Sequence, residues 1–178
     1  MSPRRNTGRQ EAEVAPQLRV PRPQESTPAD EMTMARNWLT HLRLSAIYKL
    51  EGLEDDQVRW KPAVTANSLG AVVVHLGYAE RLWVRVVFAG ETMDMSWRQS
   101  MFIVPDRWSA DDIVSFYRRE TAAADRILDR ARSLDLPSAG EIRPTTLRWV
   151  VFHLLEETAR HVGHMDITRE LLDGTTGR

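Results

Sequence analysis

Four stretches of the chain repeat apolar residues at steps of three and four, the spacing of a single helix face. In the first, Ala35, Trp38, Leu42, Ala46 and Leu50 share a face that stops at Gly52. The second runs through Leu69, Val72, Leu76, Ala79, Trp83 and Val86, widened by Val73 and Val87. Asn67 or Ser68 is its expected N-cap and Gly90 its end. The third opens at Ser109, with Asp112 three residues on as a capping partner. Its face holds Ile113, Phe116, Tyr117, Ala124, Ile127, Leu128 and Ala131. The fourth extends from about Thr146 to Asp173, follows Pro144, and closes at Gly174. No stretch alternates convincingly with the period of a strand. The pattern predicts an all-α protein, a four-helix bundle with one long crossover connection from about Glu91 to Trp108. That connection carries Trp97, Phe102, Ile103 and Trp108, so it is expected to pack across the bundle end or to roof a site there. Gly77 in the second helix costs about 1 kcal/mol against Ala, and close helix approach accounts for it.

The first thirty residues break the pattern. They hold Pro3, Pro16, Pro21, Pro23 and Pro28 of the nine prolines, scattered arginines and no apolar period. We expect a disordered tail over 1–30 and one bundle domain over 31–178. The tail has no apolar central region of the kind a secretory signal needs. The net charge of −1 gives no global field for nucleic acid or an anionic membrane, and no apolar run approaches the roughly 20 residues of a membrane helix. The chain has no Cys. Disulfides, Cys-ligated zinc and a protein thiol nucleophile are thereby excluded, and a cytoplasmic location is expected.

The chemistry collects on the fourth helix. Leu147, Val150, Leu154, Glu157, His161, Met165, Thr168 and Leu172 share its face, so a carboxylate and an imidazole sit in the middle of an apolar stripe. A buried unpaired Glu costs several kcal/mol if it stays charged, and a metal ion is one partner that satisfies both side chains. On its own, a Glu-His pair one turn apart is more often a surface ion pair or a hydrogen-bonded core pair. A bundle can bring His75, at the edge of the second stripe, opposite Glu157 and His161. Two imidazoles and a carboxylate with a fourth position open suit catalytic zinc, and nickel or iron also accepts them. His161 and His164 lie three apart and His153 lies four before Glu157, so several triads, His75 with His161 and His164 among them, remain geometrically open. His153 reads as packing or as support behind the ligands, and His41 as a first-helix residue outside the site. Trp83 and Trp97 are candidates to line a pocket. There is no G-x-S-x-G, phosphate-binding loop, dinucleotide fingerprint or H-E-x-x-H.

Several motifs together carry a family resemblance. They are Trp60-Lys61-Pro62, Asn67-Ser68-Leu69-Gly70-Ala71 leading to His75-Leu76, Glu156-Glu157-Thr158-Ala159-Arg160-His161-x-Gly163-His164-x-Asp166-Ile167, and Glu170-Leu171-x-Asp173-Gly174. Over about residues 33–177 the chain resembles the DinB-like superfamily, in its branch of mycothiol-transferase-like proteins related to mycothiol-dependent maleylpyruvate isomerase. The resemblance implies a four-helix bundle, often a homodimer, with a divalent metal at one end. By that match His75, Glu157 and His161 are the ligands, Glu157 replacing the His that commonly opens the last-helix pair. His164 falls where many relatives carry Gln, which implies a place behind the ligands. The implied activity is metal-dependent S-transfer from a low-molecular-weight thiol (mycothiol, bacillithiol or glutathione) to an electrophile. Arg160 or Arg169 is a candidate to hold carboxylates of the thiol. Two other readings fit the same fold: a non-catalytic, stress-related metal-binding bundle, and a metal-dependent hydrolase.

Overall fold

Asp30 accepts a hydrogen bond from the Thr33 N–H at 2.9 Å and starts α1 (Glu31–Tyr48). The computed structural model describes residues 22–23, 29–64 and 66–176. Most of the expected N-terminal tail, 1–30, lies outside the described residues. A short α2 (Asp55–Arg59) follows, closed into a capping box by Glu54 and Gln57 within a stretch that sequence reads only as a polar connection. Ser68 caps α3 (Leu69–Glu80), which continues without a break into a π-helical segment, Arg81–Phe88, and ends at Gly90 with φ +71°. A 3₁₀ turn, Ser96–Ser100, interrupts the crossover. Ser109 and Asp112 form the expected capping box of α4 (Ala110–Leu128), and Thr146 and Gly174 bracket α5 (Leu147–Asp173). Among the described residues the protein is all-helical apart from one isolated bridge between Pro137 and Thr146. The predicted four-helix bundle is the observed fold: α3 packs against α4 and α5, and α1 lies against α5.

The apolar interior divides into two clusters along the helices. One gathers Ala46, Leu50, Leu69, Val72, Leu76, Ile113, Phe116, Tyr117 and Met165. The other gathers Ala35, Leu39, Trp83, Val87, Ala124, Leu128, Leu147, Val150 and Leu154. Near the boundary each long helix interrupts its stripe with a buried charged residue: Arg43 on α1, Glu80 on α3, Glu120 on α4 and Glu157 on α5. Arg43 grips Glu80 with two bonds of 2.7 Å and reaches Asp125 at 2.7 Å, tying α1, α3 and α4 together. Burial weakens the charge on Arg43, but the two carboxylates outweigh it and hold the guanidinium protonated. Arg81 and Arg85 converge on Glu120 in the same manner.

This layer corrects the expected face of α1. Trp38 is 39% exposed and Leu42 is half-buried, whereas Leu39 and Arg43 point inward. An apolar period cannot register an arginine that is buried because its partners are. The same blindness passes over Glu120, between Tyr117 and Ala124 on α4. Gly77 behaves as expected: a Cβ there would lie 2.5 Å from the Phe116 ring, so α4 packs closely only against a residue without one.

Candidate metal centre

The phase of α5 is fixed at both ends by its Thr146 cap and its left-handed Gly174. Glu157 and His161, one turn apart, therefore meet α3 where it presents His75. The His75 Nε2 lies 2.9 Å from Glu157 Oε1, and the His161 Nε2 lies 3.3 Å from the same oxygen. One donor atom from each of the three side chains falls within 4.8 Å of the other two. The cluster lies part way along the α3–α5 seam, about 9 Å from the start of α3, rather than at the helix ends.

Burial sets the charge state. It pushes the His75 imidazole below its ordinary pKa, and the bond to Glu157 only partly offsets that. His161 is lowered by burial and by its neighbour His75. Burial alone would raise Glu157, but the His75 hydrogen bond and the nearby His161 and Arg160 hold it below the usual carboxylate range. Near neutral pH the centre is thus one carboxylate facing two neutral imidazoles. Arg160 pairs with Glu157 Oε2 and, at 3.3 Å, with Glu156, so Oε1 alone is turned to the histidines. Both His75 Nδ1 and His161 Nδ1 are buried with no hydrogen-bond partner among the described residues. Two neutral nitrogen donors and one anionic oxygen suit a divalent cation better than a single oxygen shared by two N–H groups.

The crossover covers this centre. Phe102 stacks on His75 with 3.9 Å between ring centroids and 11° between planes, and lies 6.1 Å from the His161 ring. Sequence marks Phe102 only as an apolar residue in a long connection. The roles expected of the two tryptophans separate. Trp83 lies against Trp149 and His153, bordering a pocket on α5. Trp97 stacks on Tyr78 at 5.0 Å, beside Arg81. His153 packs between Trp83 and Trp149, one turn before Glu157. His164 is exposed and meets His161 edge-on at 5.9 Å. Arg169 is occupied by Asp173 and by the carbonyls of Lys49 and Glu51, which commits it to anchoring the end of α5. No helix among the described residues is long and apolar enough to cross a membrane.

Comparison with known proteins bears on the fold and the family. No curated protein matches the chain. Among solved structures, one described as the conserved protein of locus from Enterococcus faecalis superimposes with a TM-score of 0.63. It covers 83% of this chain and 100% of its own, at 12% identity, a likeness of fold. The family model described as Mycothiol-S-transferase matches residues 34–174, from the first turn of α1 to the cap of α5. With that match spanning the whole bundle and the His–Glu–His centre inside it, the chain belongs to the mycothiol-S-transferase family.

Proposed function

We propose that the protein is a metal-dependent S-transferase that joins a low-molecular-weight thiol, mycothiol first among them, to an electrophilic small molecule. The observation that carries this reading is the convergence of His75, Glu157 and His161 to within 4.8 Å inside a chain of this family. These three residues would hold the cation, zinc in the first instance, with nickel or iron accepted by the same donors. Such a cation supplies Lewis acidity that favours the thiolate of a sulfhydryl whose free pKa is about 8.5.

The protein's own groups do the rest. Glu157 contributes one negative charge through Oε1, while Arg160 fixes its other oxygen. His75 and His161 remain neutral because they are buried, so they compete weakly for protons in the working range. Phe102 shields one face of His75 from water, which strengthens electrostatic interactions beside it. The chain has no Cys, so the attacking sulfur comes from a cosubstrate. That sulfur forms the new bond to carbon as the bond from carbon to the leaving group breaks, the leaving group taking the electron pair; the thiol proton passes to solvent.

The test combines metal analysis with turnover. Purified protein loaded with zinc is assayed for consumption of monochlorobimane with mycothiol, then with bacillithiol and glutathione. We expect turnover that needs both thiol and metal and disappears in His161→Ala together with the zinc. Folded, zinc-loaded protein that accelerates none of these reactions overturns the transferase reading.

A further inference from the structure

A second feature lies about two turns along α5 from the metal centre. Trp83, Ile142, Arg143 and Trp149 border an open pocket of about 420 Å³. Its floor is aromatic: Trp83 meets Trp149 with 4.8 Å between ring centroids, and Trp149 lies nearly parallel to His153, 4.9 Å away. Trp149 is 46% exposed, a large apolar surface left facing water. Above Trp83 sits the Arg143 guanidinium, 5.3 Å from the ring centre. Arg143 is exposed and pairs with no carboxylate among the described residues, whereas Arg148 nearby is taken up by Glu31 and Asp135.

The pocket wall is built rather than incidental. The loop carrying Arg143 is pinned to the end of the segment that continues α3, where Ala139 N–H donates to the Phe88 carbonyl at 2.8 Å and Gly140 N–H to the Val87 carbonyl at 3.1 Å. A Cβ on Gly140 would lie 2.4 Å from the Val86 carbonyl oxygen, so this contact requires glycine. The loop closes on itself where Ser138 N–H donates to the Thr145 carbonyl at 2.8 Å and Thr145 N–H to Ser138 Oγ at 3.0 Å. The carbonyls that receive it belong to the π-helical segment, the irregular form often found at functional positions.

A flat ring with one negative charge fits what is offered. Indole faces stack on a planar ring. A guanidinium with free N–H groups takes a carboxylate in two parallel bonds. A cationic ligand is repelled by Arg143, and an aliphatic anion leaves the indole surfaces unused. A phosphate dianion calls for more than the single unpaired cation present. We propose that this pocket binds an aromatic carboxylate and, resting on the transferase reading, that the electrophile joined to the thiol carries such a group. Trp83 follows His75 by eight residues on the same helix, so the pocket begins about 12 Å along the seam from the metal centre. A molecule anchored at Arg143 must span about that distance to bring its reactive carbon towards Glu157.

Two experiments separate this proposal from the one it rests on. The first measures binding of cinnamate and of cinnamamide, its neutral counterpart, to the full chain treated with chelator, following the indole resonances by NMR. Cinnamate should shift Trp83 and Trp149 and bind about tenfold tighter than the amide. Arg143→Gln should remove that preference and leave the amide unchanged. Arg143 and Trp149 are exposed, so Arg143→Gln and Trp149→Ala keep the fold, which circular dichroism checks. Equal binding of acid and amide, an unaltered preference in Arg143→Gln, or no binding at millimolar cinnamate overturns the pocket. The second compares kcat/KM for 4′-(bromomethyl)biphenyl-4-carboxylate, whose two rings carry the reactive carbon from Arg143 towards the metal centre, and for its carboxamide, with zinc and mycothiol, where thiolate displaces bromide. A preference for the acid that Arg143→Gln abolishes supports the substrate assignment, and turnover with no preference overturns it. Cinnamate binding without any thiol transfer overturns the transferase reading and leaves the pocket standing.

Discussion

Phe102 lies flat on His75, ring to ring at 3.9 Å, although the two residues belong to different layers of the protein. His75 is fixed in the bundle by α3, and Phe102 is carried over it by the crossover. The crossover is therefore part of the centre and not merely a connection between α3 and α4.

Removing that ring should open the site without unfolding it. Phe102 is 37% exposed, so Phe102→Ala loses little core packing. We expect faster modification of His75 by diethyl pyrocarbonate in the metal-free protein, read by mass spectrometry, with a melting temperature close to wild type. An unchanged modification rate would show that the roof does not protect the imidazole.

The ligand assignment is tested residue by residue. His75→Ala, Glu157→Gln and His161→Ala should each weaken zinc binding by more than about 100-fold, the upper end of what a supporting residue costs. Arg160→Ala, which frees only Glu157 Oε2, should weaken it about tenfold. His164→Gln should leave it unchanged, because His164 is exposed and touches only the edge of His161. Competition with a fluorescent zinc chelator gives these constants. Loss of zinc from His164→Gln with retention in Glu157→Gln would replace the assignment by the three-histidine set.

Three depressed imidazoles give the metal-free protein an acid-side instability. His75, His153 and His161 are all held below the 6.5 of an unfolded imidazole, with burial as the leading cause. Between each folded value and 6.5 the unfolded chain binds the proton and the native state does not, so stability falls as pH falls. Above 6.5 these groups contribute no slope. Below 4.5, protonation of Glu157 in the unfolded chain adds to the loss. Urea titrations from about pH 8 to about pH 5 should show a plateau and then a decline. The decline should shrink when His75 and His161 are replaced together by Gln.

The buried arginine gives a prediction about stability alone. Arg43→Leu leaves Glu80, 1% exposed, without its bidentate partner. The expected cost is about 3–5 kcal/mol by urea unfolding at neutral pH. Arg43→Leu combined with Glu80→Leu should recover much of it, since the unpaired charge is then gone. Equal destabilisation by the single and double variants would mean that packing at Arg43 matters more than its charge.

Most of the bundle was legible because period, caps and glycines agreed. Ser68, Ser109 and Thr146 cap where their sequence contexts predict, and Gly90 and Gly174 end their helices. Glu157 and His161 were visible because their helix is long enough to fix the phase of its face. Two kinds of feature were hidden. Arg43 and Glu80 are buried because they find each other, and Glu120 because Arg81 and Arg85 converge on it, which is a property of neighbouring helices and not of any single stretch. Phe102 and Arg143 sit in connections, where no period reports which way a side chain points. Separation of Trp83 from Trp97 depends likewise on the path of the crossover, which places Trp97 on Tyr78.

The wide turns of Arg81–Phe88 also bear on how relatives of different length are to be aligned. A π turn closes over one more residue than an α turn. A homologue one residue shorter in this segment can tighten it into ordinary α-helix while keeping His75 upstream and the glycine turn downstream in place. The residues between then rotate about the helix axis, and the side chain facing α5 at the level of Trp83 changes identity. Removing one residue from this segment would thus re-aim the floor of the neighbouring pocket while sparing the ligands of the metal centre upstream.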